Sequence, residues 1–256
     1  MREPLILVTN DDGITSPGIR CLIDVMKTIG KVVVVAPDRV RSAVGHAITV
    51  AEPLRLEKIK DNDRCKEYVC DGTPADCVKM ALNIVLDSKP DLIVSGINHG
   101  SNASSNVIYS GTMSAAIEGA VESILSIGFS VTSPLWDIDI SAYKKYVKII
   151  TKNVLKNGLP KGICLNVNIP DIKEEDIKGV KVCRQANARW IEGFEKRKDP
   201  HQKDYYWLNG TFEIFDDGHD TDEWALKNNY VSIVPVQFDL TAYNMIQTIK
   251  NWRINV

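Results

Sequence analysis

The sequence predicts an α/β fold, a doubly wound and mostly parallel sheet followed by a β-rich C-terminal extension. Apolar, strand-like runs alternate with helical patterns through the first half of the chain. One of them, "KVVVVAPD", is apolar on both faces, as a strand inside a covered parallel sheet is. Polar residues gather just after these runs, where an open parallel sheet holds its ligands.

Taken in order, "LILVTN" reads as the first strand, and Ile19, Leu22, Ile23, Met26 and Ile29 mark one face of the helix after it. "KVVVVAPD" is the second strand. The alternating stretch "AITVAEPLRLEKI" reads as a hairpin or excursion rather than another crossover. Thr73-Pro74 opens the helix "ADCVKMALNIVLD", with a hydroxyl as cap and proline in the first turn. "PDLIVSGIN" is a strand, Ser110 to Ser126 a helix and "GFSVTS" the strand after it. Right-handed crossovers join these units.

In the second half, Tyr143, Tyr146, Val147, Ile150 and Val154 fit a helix face, and "GICLNVNIP" a buried strand. Asn209-Gly210, between aromatic and β-prone runs in "YYWLNGTFEIF", predicts a type I′ hairpin turn. "TDEWALKNN" reads as a capped helix, "YVSIVPVQF" as a strand and Thr241 onward as a terminal amphipathic helix. Without a repeat or linker, residues 1–256 read as one domain. Its core spans about 1–135 and its extension about 136–256, with the hairpin near 205–215.

The 256 residues are 44% hydrophobic and 25% charged, with a net charge of −2. A chain of this length buries roughly three quarters of its unfolded surface without staples. Near-zero charge gives no reason to expect bulk attraction to nucleic acid or membrane, so a bound anion needs a local site. The run Pro4–Thr9 is too short for a signal peptide, and no later run approaches a membrane span. Six cysteines without a CxxC pair are expected to be reduced in a cytoplasmic protein.

Asn10, Asp11 and Asp12 follow the first strand; Asp38, Arg39, Arg41 and Ser42 follow the second; Ser95, Asn98 and Asn102 belong to the third and its loop. Two aspartates with amide and hydroxyl oxygens suit a hard divalent cation such as Mg²⁺ or Mn²⁺. Such a cation offsets the repulsion of adjacent carboxylates, provided that Gly13 turns the chain so both reach it. A bare Asp-Asp-Gly is otherwise an ordinary surface turn. "GITSPG" has Walker-loop spacing but is followed by Ile19-Arg20 instead of Lys and a hydroxyl residue, which argues against a nucleotide P-loop.

Ser110, Gly111 and Thr112 stand at a helix start, as a phosphate cradle or as a plain N-cap. Arg39 and Arg41 are solvated charges or anion clamps. His46 and His99 neighbour the rim, while His201 and His219 lie in the extension. Trp190, Trp207 and Trp224 read as packing residues, with Trp190 or Tyr205-Tyr206 the alternative base-stacking groups.

"TNDDGI", "APDRVRSAVGHAIT", "DGTPADCV", "SGINHGSN", "YSGTMSAAIEGA" and "TDEWALKNNYVSIVPVQFDLT" together resemble the SurE family of survival proteins, in order from residue 5 to about 242. The resemblance implies a Rossmann-like core, a protruding β-hairpin and C-terminal exchange in a homodimer or homotetramer. It implies metal-dependent hydrolysis of nucleoside 5′- and 3′-monophosphates to nucleoside and phosphate, with short polyphosphate as a further substrate. Its metal ligands fall on Asp11, Asp12, Ser42 and Asn98, and its phosphate loop on Asn102, Ser110, Gly111 and Thr112. This chain departs from the pattern at Ser104, where glycine is common, and at Asn106, where aspartate is common.

The expected chemistry is attack of a metal-oriented water on a phosphomonoester, with Asp11 or Asp12 taking its proton. An aspartyl-phosphate route is the alternative within the enzyme class, although such enzymes usually space two aspartates by one residue. A nucleotide-binding regulator without turnover is the alternative outside it.

Overall fold

The structure is a computed structural model and describes residues 2–137, 139–252 and 254. Leu5–Thr9 (β1), Lys31–Pro37 (β2), Leu92–His99 (β5) and Ser126–Val131 (β6) form the centre of a nine-stranded sheet. Leu56–Asn62 (β3) and Cys65–Cys70 (β4) extend it at one edge. Ile163–Ile169 (β7), Gly179–Val182 (β8) and Tyr230–Gln237 (β11) extend it at the other. The order is β3-β4-β2-β1-β5-β6-β7-β11-β8, parallel except where β3 meets β4 and β7 meets β11. The helices are Pro17–Met26 (α1), Pro74–Met80 (α2), Gly111–Val121 (α3), Lys144–Asn157 (α4), Asp222–Lys227 (α5) and Tyr243–Lys250 (α6).

The side-chain alternation of the strands divides the core between two layers of helices. Ile6 and Val8 of β1 pack with α1 and α4 on one face, whereas Leu7 packs with α2 and α3 on the other. From β1 the chain winds outward to β2 and later returns to place β5 on the opposite side of β1. That reversal opens a crevice beyond the carboxyl ends of β1 and β5, the place where doubly wound sheets bind ligands.

Several local expectations need correction. The helix expected from Ser110 to Ser126 ends at Val121, because Ser123 turns with φ +58° and residues 124–126 lead into β6. Beyond Met80 the second helix widens into a π turn, Ala81–Val85. The excursion stays irregular to residue 55, and its hairpin forms between β3 and β4. The terminal helix begins at Tyr243; residues 253, 255 and 256 lie outside the described residues.

The hairpin expected to turn at Asn209-Gly210 is built differently. Ala188–Lys198 (β9) pairs along its whole length with Asp204–Ile214 (β10), and Asn209 and Gly210 sit mid-strand opposite Gly193 and Glu192. The turn lies at 199–203, where Asp199 Oδ1 accepts the N–H of His201 at 2.8 Å and of Lys203 at 2.9 Å. An Asp-Pro start and this side-chain turn outcompete Asn-Gly, whose flanks both favour extended chain.

One buried carboxylate ties α1 to the sheet edge. Glu67 of β4 is 2% exposed and accepts from Arg20 at 2.6 and 3.1 Å and from Lys60 at 2.9 Å. The Arg20 hydrogen bonds hold its carboxyl down at about 2, against 4.5 ordinarily. Glu67 therefore stabilises the fold above pH 4.5, and that contribution is lost as pH falls toward 2. Replacing Glu67 with Gln is expected to cost about 2 kcal/mol at pH 7, since solvent reaches Arg20 and Lys60 and weakens both pairs, and almost nothing near pH 2. Urea titrations of both proteins from pH 7 to pH 2 measure the difference.

Candidate active site

The turn after β1 is held from three sides. Asn10 Nδ2 donates to Gly13 O and to Ser16 Oγ, each at 2.9 Å, which fastens the turn to the cap of α1. Ile14 N–H donates to Pro37 O at 3.0 Å, and Arg41 N–H to Asp11 O at 2.7 Å, which fastens it to the end of β2. Gly13 has φ +89° and lies against the Arg39 backbone, so a side chain there is strained. Asp11 and Asp12 thereby sit in a fixed turn, 4% and 7% exposed.

The two carboxylates have different neighbours. Thr112 Oγ1 donates to Asp11 Oδ1 at 2.5 Å. Gly111 packs so closely on Asp11 that a Cβ would stand 2.7 Å from the aspartate's own. The N-terminus of α3 is thus pressed against Asp11. Burial, then the neighbouring Asp12 charge, pushes the Asp11 carboxyl up to about 6. Asp12 Oδ2 accepts from the His99 N–H at 3.3 Å and lies 3.2 Å from His99 Nδ1. Among the described residues no lysine or arginine pairs with either aspartate.

Asn98 and His99 reach this rim through an irregularity. The β5–β6 register shifts between Ser95 and Asn98, at Gly96 with φ +123°, after which Asn98 pairs with Ser130. Asn98 Nδ2 donates to Gly100 O at 2.8 Å, which leaves its amide oxygen for another partner. Ser42 follows Arg41 on an exposed stretch of the same rim, and no hydrogen bond ties it to the other expected ligands among the described residues. No group of three or more His, Cys, Asp or Glu suited to a metal exists among the described residues. Any cation at this rim must draw on amide and hydroxyl oxygens beside the two aspartates.

Asn102 is anchored more firmly than its loop position suggests. Its N–H donates to Asn168 Oδ1, its carbonyl accepts from Asn166 Nδ2 and its own Nδ2 donates to Ser130 Oγ, each at 2.8 Å. Asn168 Nδ2 closes the ladder on Asn166 Oδ1 at 2.9 Å. These supporting residues went unread in the sequence. Their signal was two asparagines alternating in the otherwise apolar strand "ICLNVNI", since polar groups in a buried strand need partners. Ser110 caps α3 by accepting the Met113 N–H at 3.0 Å, and its own hydroxyl proton remains available. Thr112, by contrast, directs its hydroxyl to Asp11.

The remaining candidates separate cleanly. His46 lies 2.8 Å from Glu118, itself 4% exposed and paired with Lys79 at 2.5 Å, so it clasps the irregular 38–55 segment to α3. Thr49 reinforces the clasp through its N–H and hydroxyl, 2.9 and 2.6 Å from the two oxygens of Asp76. The Arg41 guanidinium bonds the Asp71 carbonyl, while Arg39 stays exposed. Trp224 stacks between His219 and Tyr230, and Tyr205 and Tyr206 lie near the hairpin tip. Ser104 takes φ +53°, with its N–H held by Asp222 at 2.8 Å, and Asn106 accepts from Trp190 Nε1 at 3.2 Å. Both departures from the family pattern are thus accommodated by contacts on this loop.

Fold and rim define a doubly wound α/β protein whose crevice sets a buried acidic pair against a helix N-terminus. The family model of the survival protein SurE matches residues 6–192. The chain belongs to the SurE family. It is 60% identical to the 5′-nucleotidase SurE of Flavobacterium psychrophilum, over 100% of both chains. It is 59% identical to that of Christiangramia forsetii, over 99% of this chain and 98% of the relative. The crystal structure of the SurE protein from Aquifex aeolicus is 43% identical, with a TM-score of 0.85 covering 97% of this chain and 99% of that one.

The folded value of Asp11, about 6, exceeds 3.8, so the favourable protonated state is fully present below 3.8 and is lost as pH rises through 6. In EDTA, Asp11→Asn is therefore expected to melt above the unaltered protein at pH 7, by a few degrees, with the gap closing toward pH 4. Thermal melts across that range measure it.

Proposed function

We propose that this chain hydrolyses nucleoside 5′- and 3′-monophosphates to nucleoside and phosphate, with Mg²⁺ or Mn²⁺ held at Asp11 and Asp12. One observation carries the reading: two adjacent buried carboxylates lack a lysine or arginine partner among the described residues, and one of them, Asp11, lies against the first turn of a helix. That arrangement suits a cation bridging the pair to an anion. The naming of whole-length relatives as 5′-nucleotidases supports the substrate class.

The donors present fit a hard cation, because Asp11, Asp12, the Asn98 amide and the Ser42 hydroxyl all offer oxygen. When bound, the cation supplies Lewis acidity toward a phosphate oxygen and lowers the pKa of a coordinated water. The chain's own residues do the rest. Ser110 donates its free hydroxyl proton to the phosphate, beside the helix N–H groups at Gly111. Asn102 donates the second N–H of its Nδ2, held in place by the Ser130–Asn166–Asn168 ladder. Thr112 orients Asp11, and one of the aspartates accepts the proton of the attacking water. These groups address the phosphate and not the leaving group, which agrees with both ester positions and with short polyphosphate as a further substrate.

A homodimer or homotetramer is supported by apolar surface on the projecting elements. Phe194, Trp207 and Leu208 on the hairpin, and Tyr243, Ile246 and Ile249 on α6, are exposed in the single chain. Six free, buried cysteines agree with a reducing cytoplasm. No helix among the described residues is long and apolar enough to cross a membrane.

Phosphate release from AMP is expected with Mn²⁺ or Mg²⁺ and is expected to vanish in EDTA. Asp12→Asn should lower turnover on the order of 10²- to 10⁴-fold while the protein stays folded by circular dichroism. A folded Asp12→Asn protein with unchanged turnover removes Asp12 from the mechanism. Nucleotide binding without phosphate release from the unaltered protein establishes the regulator instead.

A further inference from the structure

We propose that Trp136, stacked on His99, is the platform on which the nucleobase of a bound nucleotide rests. The inference deepens the nucleotidase reading and rests on it. The loop that carries Trp136 leaves the carboxyl end of β6, next along the rim from β5 and β1. Its root is fixed where Thr132 N–H donates to Ile169 O at 3.0 Å and Thr132 Oγ1 accepts the Asp171 N–H at 2.8 Å.

From there the indole folds over His99, with ring centroids 4.8 Å apart and planes 16° apart. The imidazole beneath meets Asp12 Oδ2 through both its own Nδ1 and its backbone N–H. The His99 side chain is only 2% exposed. Trp136, although stacked, remains 46% exposed. The order outward from the reacting centre is therefore carboxylate, imidazole, indole.

Several aromatic rings of this protein are half exposed, and Trp136 is set apart by its place over His99, itself beside Asp12. Position gives this one a use. In a nucleotide one ribose separates phosphate from base, and here one ring separates Asp12 from the indole. Stacking needs only a π face, so it tolerates any base and favours the larger purines.

Trp190 is the competing aromatic, but its Nε1 is committed to Asn106 and its ring meets Phe212 edge-on. It therefore belongs to the hairpin root. Trp136 has no such second commitment among the described residues.

Ribose 5-phosphate carries the same ester as AMP without the base, so the two substrates separate platform from chemistry. With Mn²⁺ present, Trp136→Ala should lower kcat/KM for AMP on the order of ten- to a hundredfold. Ribose 5-phosphate should change less than about twofold, and Trp136→Phe should recover most of the AMP rate, since a phenyl ring also stacks. An equal loss on both esters, no loss on either, or a base-dependent loss in Trp190→Ala in place of Trp136→Ala overturns the platform. Failure of the unaltered protein to hydrolyse either ester overturns the nucleotidase reading, and the platform with it.

Discussion

Two carboxylates side by side in a buried turn are the constraint around which this molecule is arranged. Charges a few Å apart repel by several kcal/mol even at an effective dielectric near 20. Asp11 and Asp12 are nevertheless fixed together, and among the described residues the Thr112 hydroxyl, the first turn of α3, and the N–H and ring of His99 lie against them. The consequence is visible in the Asp11 carboxyl, which burial and its neighbour push up to about 6. Such a pair, without a lysine or arginine partner among the described residues, suits the multivalent cation proposed above.

Rigidity around the pair comes from parts of the chain far apart in sequence. Asn10 and Arg41 fasten the aspartate turn to α1 and β2. Glu118 and Asp76 hold the irregular segment that carries Ser42, with which no strand pairs among the described residues. The asparagine ladder fixes Asn102 from β6 and β7. Each support is a hydrogen bond with a buried residue on at least one side, so the rim keeps its shape without regular secondary structure. Gly111 completes the arrangement by letting α3 approach Asp11 more closely than any side chain permits.

The doubly wound sheet was legible in the sequence because Leu5–Thr9, Lys31–Pro37 and Leu92–His99 announce themselves as buried strands and their polar successors share one end. The switch point follows from that order. Local turn chemistry misled where two signals competed. Asn209-Gly210 is a strong turn dipeptide, yet pairing along two eleven-residue strands, together with the Asp199-Pro200 turn, holds it extended. The polar supports were illegible for a different reason. Nothing in a linear reading says that Asn166 and Asn168 meet Asn102, or that His46 meets Glu118 while His99 meets Asp12. Two histidines equally near the rim in sequence thus part company in space, one clasping Glu118 and the other set against Asp12.

The most direct test lies in diffraction. Crystals of this protein soaked in Mn²⁺, with data collected at the manganese absorption edge, are expected to show an anomalous peak within coordination reach of both Asp11 and Asp12, on the side facing the first turn of α3. Manganese bound elsewhere, with no peak at that pair, contradicts the cation proposed there.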